Sequence, residues 1–357
     1  MAWLYEESIT IDETKCGTAD STDFPMLFAG TYDGIGGKPD LRTVANGGKV
    51  ISTSGYDIAF FSDAALTTML KFERVGWSAT TGVCEFWVKI PTLDVDANTI
   101  IYIAYGNAAI ITDQQDRSNT WNVNYKGVYH LEDLTTSTVD DSTGNGHDGT
   151  KDSADNPIVG AAKIGNGQTF TSDVINFGVT DFDLTNNFTI ECWVKSTSNG
   201  VYQGIFSKAH DATGGYNGYS LAKESDNYFK FVIFNANAPG YHYIAANSAN
   251  TDSDWHHLVG IRDSGTSKLY LDGAIQTASS AEAPGLTSNS LIMGKYYQEV
   301  ASYYLVGSVD EGRISNTPRT ASYVTASYNN QNSPSTFYTL AEVNLGFLPR
   351  MNLLRVG

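Results

Sequence analysis

The densest run of oxygen donors in the 357-residue chain is Asp140-Asp-Ser-Thr-Gly-Asn-Gly-His-Asp148. Asp140, Asp141 and Asp148 supply three carboxylates there and Asn145 an amide, while the glycines let backbone carbonyls turn inward. A hard cation such as Ca²⁺ takes about six to eight such oxygens, so a structural Ca²⁺ site is one reading. The other is conformational, with Asx turns at Asp141 and Asn145 and a hairpin at Asp148-Gly149. The spacing is looser than an EF-hand, and both readings stay open. Asp94-Val-Asp-Ala-Asn98 starts like an EF-hand, but Thr99 replaces the needed Gly and Tyr105 the closing Glu, so an ordinary loop is expected.

Aromatic side chains offer a second chemistry. Thr213-Gly-Gly-Tyr216-Asn-Gly-Tyr219, Pro239-Gly-Tyr241-His-Tyr243 and Tyr296-Tyr297 place tyrosines among Gly and Asn. Each gives a sugar a flat face and a polar tip, which makes Tyr216, Tyr219, Tyr241 and Tyr243 candidate glycan contacts. Tyrosine is also a common strand residue, and most of the 21 must pack in the interior. Only a cluster on one rim would single some out. Trp255-His256-His257 reads as strand, so its two imidazoles point to opposite faces and cannot share a metal. No nucleophile elbow, Gly-Lys-Ser phosphate loop or Cys-x-x-Cys pair occurs, and no catalytic residue is assigned.

The elements that must position these groups are strands. Tyr56 to Phe61, Cys84 to Ile90, Thr99 to Tyr105, Phe188 to Lys195, Tyr228 to Phe234, Trp255 to Ile261 and Lys268 to Ile275 are short apolar or alternating runs between Gly, Asn, Asp and Ser. Asp272-Gly273 suits a type I′ hairpin turn. One helix is predicted over Pro318 to Tyr328, capped by Thr317, with Ala321, Val324 and Tyr328 at helical spacing. Ala64 to Phe72 reads as a turn of helix at most.

The length suits two domains, with a boundary near Thr112 to Lys126: residues 1–125, residues 126–335, and a C-terminal tail 336–357. In that tail, Leu345 to Val356 is apolar enough to dock on a neighbour. Lys plus Arg number 22 against 39 Asp plus Glu, a net charge of −17, which opposes nucleic acid and anionic lipid. No stretch approaches the roughly 20 apolar residues of a membrane-spanning helix, so no membrane insertion is expected. Cys16, Cys84 and Cys192 lack metal-ligand spacing; Cys84 and Cys192 lie in apolar runs and read as buried free thiols.

From Gly127-Val-Tyr-His-Leu-Glu132 and Asp141-Ser-Thr-Gly-Asn-Gly-His-Asp-Gly-Thr150 onward, the second half resembles concanavalin A-like, laminin-G-type jelly rolls. Phe188-Thr-Ile-Glu-Cys-Trp-Val, Trp255-His-His-Leu-Val, Leu269-Tyr-Leu-Asp-Gly and Gly307-Ser-Val-Asp-Glu-Gly-Arg-Ile314 follow in the expected order. The first half, through Ala45-Asn-Gly-Gly-Lys, Trp87-Val-Lys-Ile-Pro91 and Tyr102-Ile-Ala-Tyr-Gly-Asn107, is similar to a bacterial domain of unknown function that precedes such jelly rolls in bacterial surface and bacteriophage structural proteins. The resemblance implies an all-β protein: two tandem β-sandwich (jelly-roll) domains, the second concanavalin A-like, with one short C-terminal helix. It also implies that a calcium ion can link the early Asp loop to the late strand through Asp310 or Glu311. Jelly-roll glucanases carry Glu-x-Asp-x-x-Glu on one strand, whereas Glu224-Ser-Asp226-Asn-Tyr-Phe229 has no third acid.

The function expected from these readings is non-enzymatic. The start, Met-Ala-Trp-Leu-Tyr-Glu-Glu, shows no secretory signal, and a phage virion protein released by lysis needs none. The expectation is therefore a tailed-bacteriophage virion protein, a capsid decoration or tail adhesin, that binds surface glycans. It would be oligomeric in the assembly and anchored to other virion subunits by the tail. The alternatives are a secreted or cell-surface bacterial carbohydrate-binding protein and a glycoside hydrolase with an unrecognised site.

Overall fold

Period-two alternation sends half of each strand's side chains to a shared interior and leaves the other half to find a second surface. The computed structural model describes residues 3–151, 157–212, 215–237, 241–299 and 301–343. In the first sandwich a four-stranded sheet, ordered Tyr338–Glu342, Tyr5–Ile11, Thr99–Tyr105 and Ile58–Phe61, faces a three-stranded one made of Ser21–Thr31, Val83–Leu93 and Phe72–Trp77. Phe24, Met26 and Phe28 meet Ile9, Ile11, Phe60, Ile101 and Ile103 in a closed core with Phe86 and Val88. On the opposite face of the three-stranded sheet Leu27 and Trp87 are fully buried.

The second sandwich stacks two eight-stranded antiparallel sheets. The inner one, facing the first sandwich, is centred on Gly307–Ser315, Phe188–Ser196 and His256–Asp263, and Tyr125–Tyr129 joins it beside Gly307–Ser315. The outer one runs from Tyr241–Ala245 through Phe229–Phe234, Gly215–Lys223 and Gln203–Ala212 to short strands ending at Thr138–Val139. Ile190, Cys192, Val194 and Leu258 pack across the layer on Phe206, Leu221, Phe231 and Ile233. The hairpin read at Asp272-Gly273 forms, both residues taking positive φ (51° and 77°) between Thr266–Leu271 and Ala274–Ser280. All three cysteines are buried free thiols, and among the described residues no helix is long and apolar enough to cross a membrane.

The helix forms at Ala321–Asn332, not from Pro318; its cap is Thr320, whose side chain accepts from the Tyr323 N–H. Thr317 and Arg319 are instead held by Thr189, whose hydroxyl donates to Thr317 O and accepts from the Arg319 N–H. The Arg319 guanidinium lies 4.3 Å from the Tyr125 ring and 4.7 Å from that of Tyr323. These contacts keep the segment out of the helix for three more residues. Once formed, the helix serves both sandwiches. Tyr323 and Ala326 enter the first core, while Val324 packs on Val259, Ile261 and Tyr270 of the inner sheet. Asn330 accepts from the Leu27 N–H (2.6 Å) and donates to the Leu27 carbonyl (3.0 Å), closing a strand edge that would otherwise expose backbone groups. Beyond it Tyr338–Glu342 pairs with Tyr5–Ile11, so this part of the tail completes the first sandwich. Leu345 to Val356, expected to dock, lies outside the described residues.

Between the sandwiches sits Arg313, 1% exposed. Its guanidinium is 4.2 Å from the Trp87 ring centre and 5.0 Å from that of Trp121. It donates to Glu311 (2.6 Å) and lies 3.7 Å from Glu191. Behind Glu191, His257 is fully enclosed between Trp193 and Tyr328. Its partner His256 sits nearer the surface between Asp272 and Asp252.

Arg313→Ala should destabilise the chain by about 3–5 kcal/mol in urea titration, because it strands buried carboxylates without their cation. A loss below 1 kcal/mol would mean that the ion pairs do not hold the joint. His257 yields a pH prediction. Burial first, then Arg313 and Lys163, depress its pKa to about 3, against the opposing pull of Asp272. The unfolded chain therefore binds this proton more readily, and stability present above about pH 6.5 is lost as pH falls toward 3. Between pH 7 and 5 the wild type should lose about 2 kcal/mol that His257→Asn does not, measured by denaturant midpoints.

Candidate functional site

The outer sheet turns one face to solvent, and its strand alternation decides which tyrosines reach it. On Phe229–Phe234, Lys230, Val232 and Phe234 point outward, and Tyr243 pairs with Val232 from the neighbouring strand. Tyr216 joins Phe234 and Tyr297 at 6.1 and 5.8 Å between ring centres. Residues 294–299 and 301–305 then fold back over these strands and add Tyr296, Tyr297 and Tyr303. With Tyr202, six tyrosines line one cleft of 460 Å³. Tyr202, Tyr243 and Tyr303 are between 39% and 49% exposed, so their rings are both placed and reachable. Tyr303 has φ 67°, a region a bulky side chain rarely enters, and its carbonyl accepts the Gly204 N–H.

The polar groups of the cleft centre on Lys230. Its ammonium donates at 2.7 Å to both Glu224 and Asp226 and lies 4.4 Å from the Tyr243 ring centre; Tyr296 donates to the other Glu224 oxygen at 3.0 Å. Burial alone would lower the lysine pKa, but the hydrogen bonds it donates to Asp226 and Glu224 carry it above the ordinary value. Both carboxylates thus serve one cation.

Of the four tyrosines singled out in the sequence, Tyr216 and Tyr243 line this cleft. Tyr219 does not. It is three residues from Tyr216 on the same strand and so faces the opposite way, buried against Phe188 with its hydroxyl donating to Phe182 O. Tyr241 pairs with Phe234 through its backbone, and its side chain lies outside the described residues. Tyr202 and Tyr303 escaped sequence reading, because their approach depends on a loop crossing that no local pattern announces. Lys230 had a weak signal, a charge alternating with apolar residues in Phe229-Lys-Phe-Val-Ile-Phe234.

The five residues proposed for calcium do not share one site. Asp141 accepts from the backbone N–H groups of Val128, Thr143 and His147 and from the Thr143 hydroxyl. Asp148 accepts from the Asp141 N–H, and the Asn145 amide donates to Tyr125 O. These are the bonds of an Asx-turn loop, with Asp140 exposed at its edge near Arg117. Asp310 is fully buried elsewhere, at the joint between the sandwiches, where it accepts the Ile164 N–H. A larger cleft of 870 Å³ opens beside the loop, lined by His147, Asp148, Lys151, Asn176, Lys295 and Tyr304 among others. It has fewer ring faces than the tyrosine cleft.

Residues 54–146 match the family model described as Domain of unknown function (DUF2341), and residues 166–325 match that of the concanavalin A-like lectin/glucanases superfamily. No curated protein shows significant sequence similarity to the chain. Similar solved structures include domain 4 of AbnA, a GH43 extracellular arabinanase from Geobacillus stearothermophilus, in complex with arabinotriose. It is 20% identical, with a TM-score of 0.47, over 57% of this chain and 97% of that one. The binding domain of Paraclostridial Mosquitocidal Protein 1 is 11% identical, with a TM-score of 0.45, over 58% and 52%. Trypanosoma rangeli sialidase is 11% identical, with a TM-score of 0.45, over 67% and 42%. The chain thus spans about half or less of the latter two.

Because its oxygens already hold four protein donors, Asp141→Ala should cost about 1–3 kcal/mol in thermal or urea melts, equally in calcium and in chelator. A loss seen only in calcium would restore the metal reading of the loop.

Proposed function

We propose that this pairing of a DUF2341 domain with a concanavalin A-like jelly roll is a non-enzymatic attachment protein that holds a glycan in the tyrosine cleft of the outer sheet. The observation that carries the reading is the convergence of six tyrosines on one cleft, three of them partly exposed, around a fixed ammonium and two carboxylates. Ring faces stack on the apolar face of a sugar, and the surrounding charges accept and donate to its hydroxyls. The non-enzymatic part rests on Glu224 and Asp226, both engaged by Lys230. The setting we propose is the surface of a tailed-bacteriophage virion, as a decoration or tail adhesin. Its support is the resemblance of the two-domain arrangement to bacteriophage structural and bacterial surface proteins. Co-purification with intact particles supports this setting, and recovery only with host cell surfaces replaces it.

On a glycan array, a bound sugar should lose roughly two- to tenfold in affinity with Tyr216→Ala or Tyr243→Ala. Tyr219→Phe, in the core, should leave affinity unchanged while lowering stability by about 1 kcal/mol. Equal binding by all three variants would remove the cleft from the function. Release of reducing sugar from a polysaccharide panel would overturn the non-enzymatic reading.

A further inference from the structure

Carboxylates from both sandwiches converge where the two meet. Glu85 comes from Val83–Leu93 of the first; His130 follows Tyr125–Tyr129, and Glu311 lies in Gly307–Ser315 of the second. One donor atom from each of Glu85, His130 and Glu311 lies within 4.8 Å of the others, and all three residues are buried. Glu132 is adjacent, since a methyl group at Gly165 would collide with both its Oε1 and the Glu85 Oε2. Glu311 takes a positive φ of 51° inside its strand, where the pairing with Phe188–Ser196 shifts register. At such a bulge consecutive residues need not alternate, and Asp310 and Glu311 both serve the joint.

The second observation is that Glu85 Oε1 and Asp310 Oδ1 are buried with no hydrogen-bond partner, on residues 6% and 0% exposed. Unpaired carboxylate oxygens in an apolar joint are costly unless a cation meets them. The outer supports are already in place. His130 Nε2 lies 3.2 Å from Glu73 Oε2, and Glu73 is itself fixed by Trp121 (2.7 Å), Ser142 (2.7 Å) and Arg117 (2.9 Å). A carboxylate behind the far nitrogen of an imidazole orients the near nitrogen toward a metal.

We propose that Glu85, His130 and Glu311, with Glu132 and Asp310 beside them, bind one divalent transition-metal ion that links the two sandwiches. Mixed carboxylate and imidazole donors suit Zn²⁺ or Mn²⁺ better than Ca²⁺, which takes oxygen. His130 keeps its proton on Nε2 toward Glu73 and gives the Nδ1 lone pair, now facing Glu311 at 2.7 Å, to the ion. Any proton held at Nδ1 or on a ligating carboxyl leaves to solvent on binding. Entry is available, because clefts of 330 and 530 Å³ reach the cluster from two sides and share Glu132.

The test uses the full chain after treatment with chelator, titrated calorimetrically with Zn²⁺, Mn²⁺, Ca²⁺ and Mg²⁺ and assayed for bound metal by mass spectrometry. We expect one Zn²⁺ or Mn²⁺ per chain, a raised melting temperature that chelator reverses, and affinity at least about tenfold weaker in the near-isosteric Glu85→Gln. Asp148→Asn, in the distant loop, should bind as the wild type does. Absence of uptake, uptake of Ca²⁺ alone, or unchanged affinity in a folded Glu85→Gln would each overturn the site. Should the variants fail to fold, the visible spectrum of Co²⁺ bound to the wild type decides. Bands shifted from those of the hydrated ion support the site, and a hydrated-ion spectrum overturns it.

Discussion

Arg313 is lodged fully inside the boundary between the sandwiches with indole faces on one side and carboxylates on the other. Its position dictates much around it. The three-stranded sheet of the first sandwich carries Leu27 and Trp87 beside Glu73 and Glu85 on its face toward the joint and needs a cover for all four. The inner sheet of the second carries Glu191, Glu311 and Trp193 on its outward side and needs a cover that can pair charge. A guanidinium satisfies both, because its plane stacks on rings while its edge donates to carboxylates. The helix Ala321–Asn332 then fills the rest of the seam, contributing apolar side chains to either side.

The fold was legible where patterns are local. Thr99–Tyr105 and Phe188–Ser196 announce themselves by β-branched and aromatic runs, and Asp272-Gly273 by turn chemistry. The helix was legible in kind but not in extent. Its first turn yields to Thr189 and to the Tyr125 ring beside Arg319, and both of those partners are more than a hundred residues away. Its role was hidden as well: a helix buried on two sides presents no single apolar stripe, and its Ser, Asn and Gln residues read as solvent-facing.

The site divides along the same line. Tyr216 and Tyr243 stand out as aromatic residues in Gly- and Asn-rich surroundings, but strand parity, which assigned Tyr219 to the core, cannot be read through the Asn-Gly step between them. Tyr202 and Tyr303 come together through a crossing of distant loops. For the joint, a signal was present and passed unread. Glu85 and Glu191 each interrupt an apolar run with an acid, in Cys-Glu-Phe-Trp and Ile-Glu-Cys-Trp, and Glu311 sits in the charged run Asp-Glu-Gly-Arg. An ionisable residue inside such a run must face either solvent or a buried partner, and only the assembled pair of sandwiches shows which.

The pairing of Tyr338–Glu342 with Tyr5–Ile11 sets an order on biosynthesis. A ribosome delivers the other strands of the first sandwich early, yet the strand that finishes its four-stranded sheet emerges only after the whole jelly roll. Until then Tyr5–Ile11 is an open edge able to pair with the same strand of a second nascent chain. Neighbouring ribosomes on one message would bring such edges together, so pairing between unfinished chains competes with correct closure.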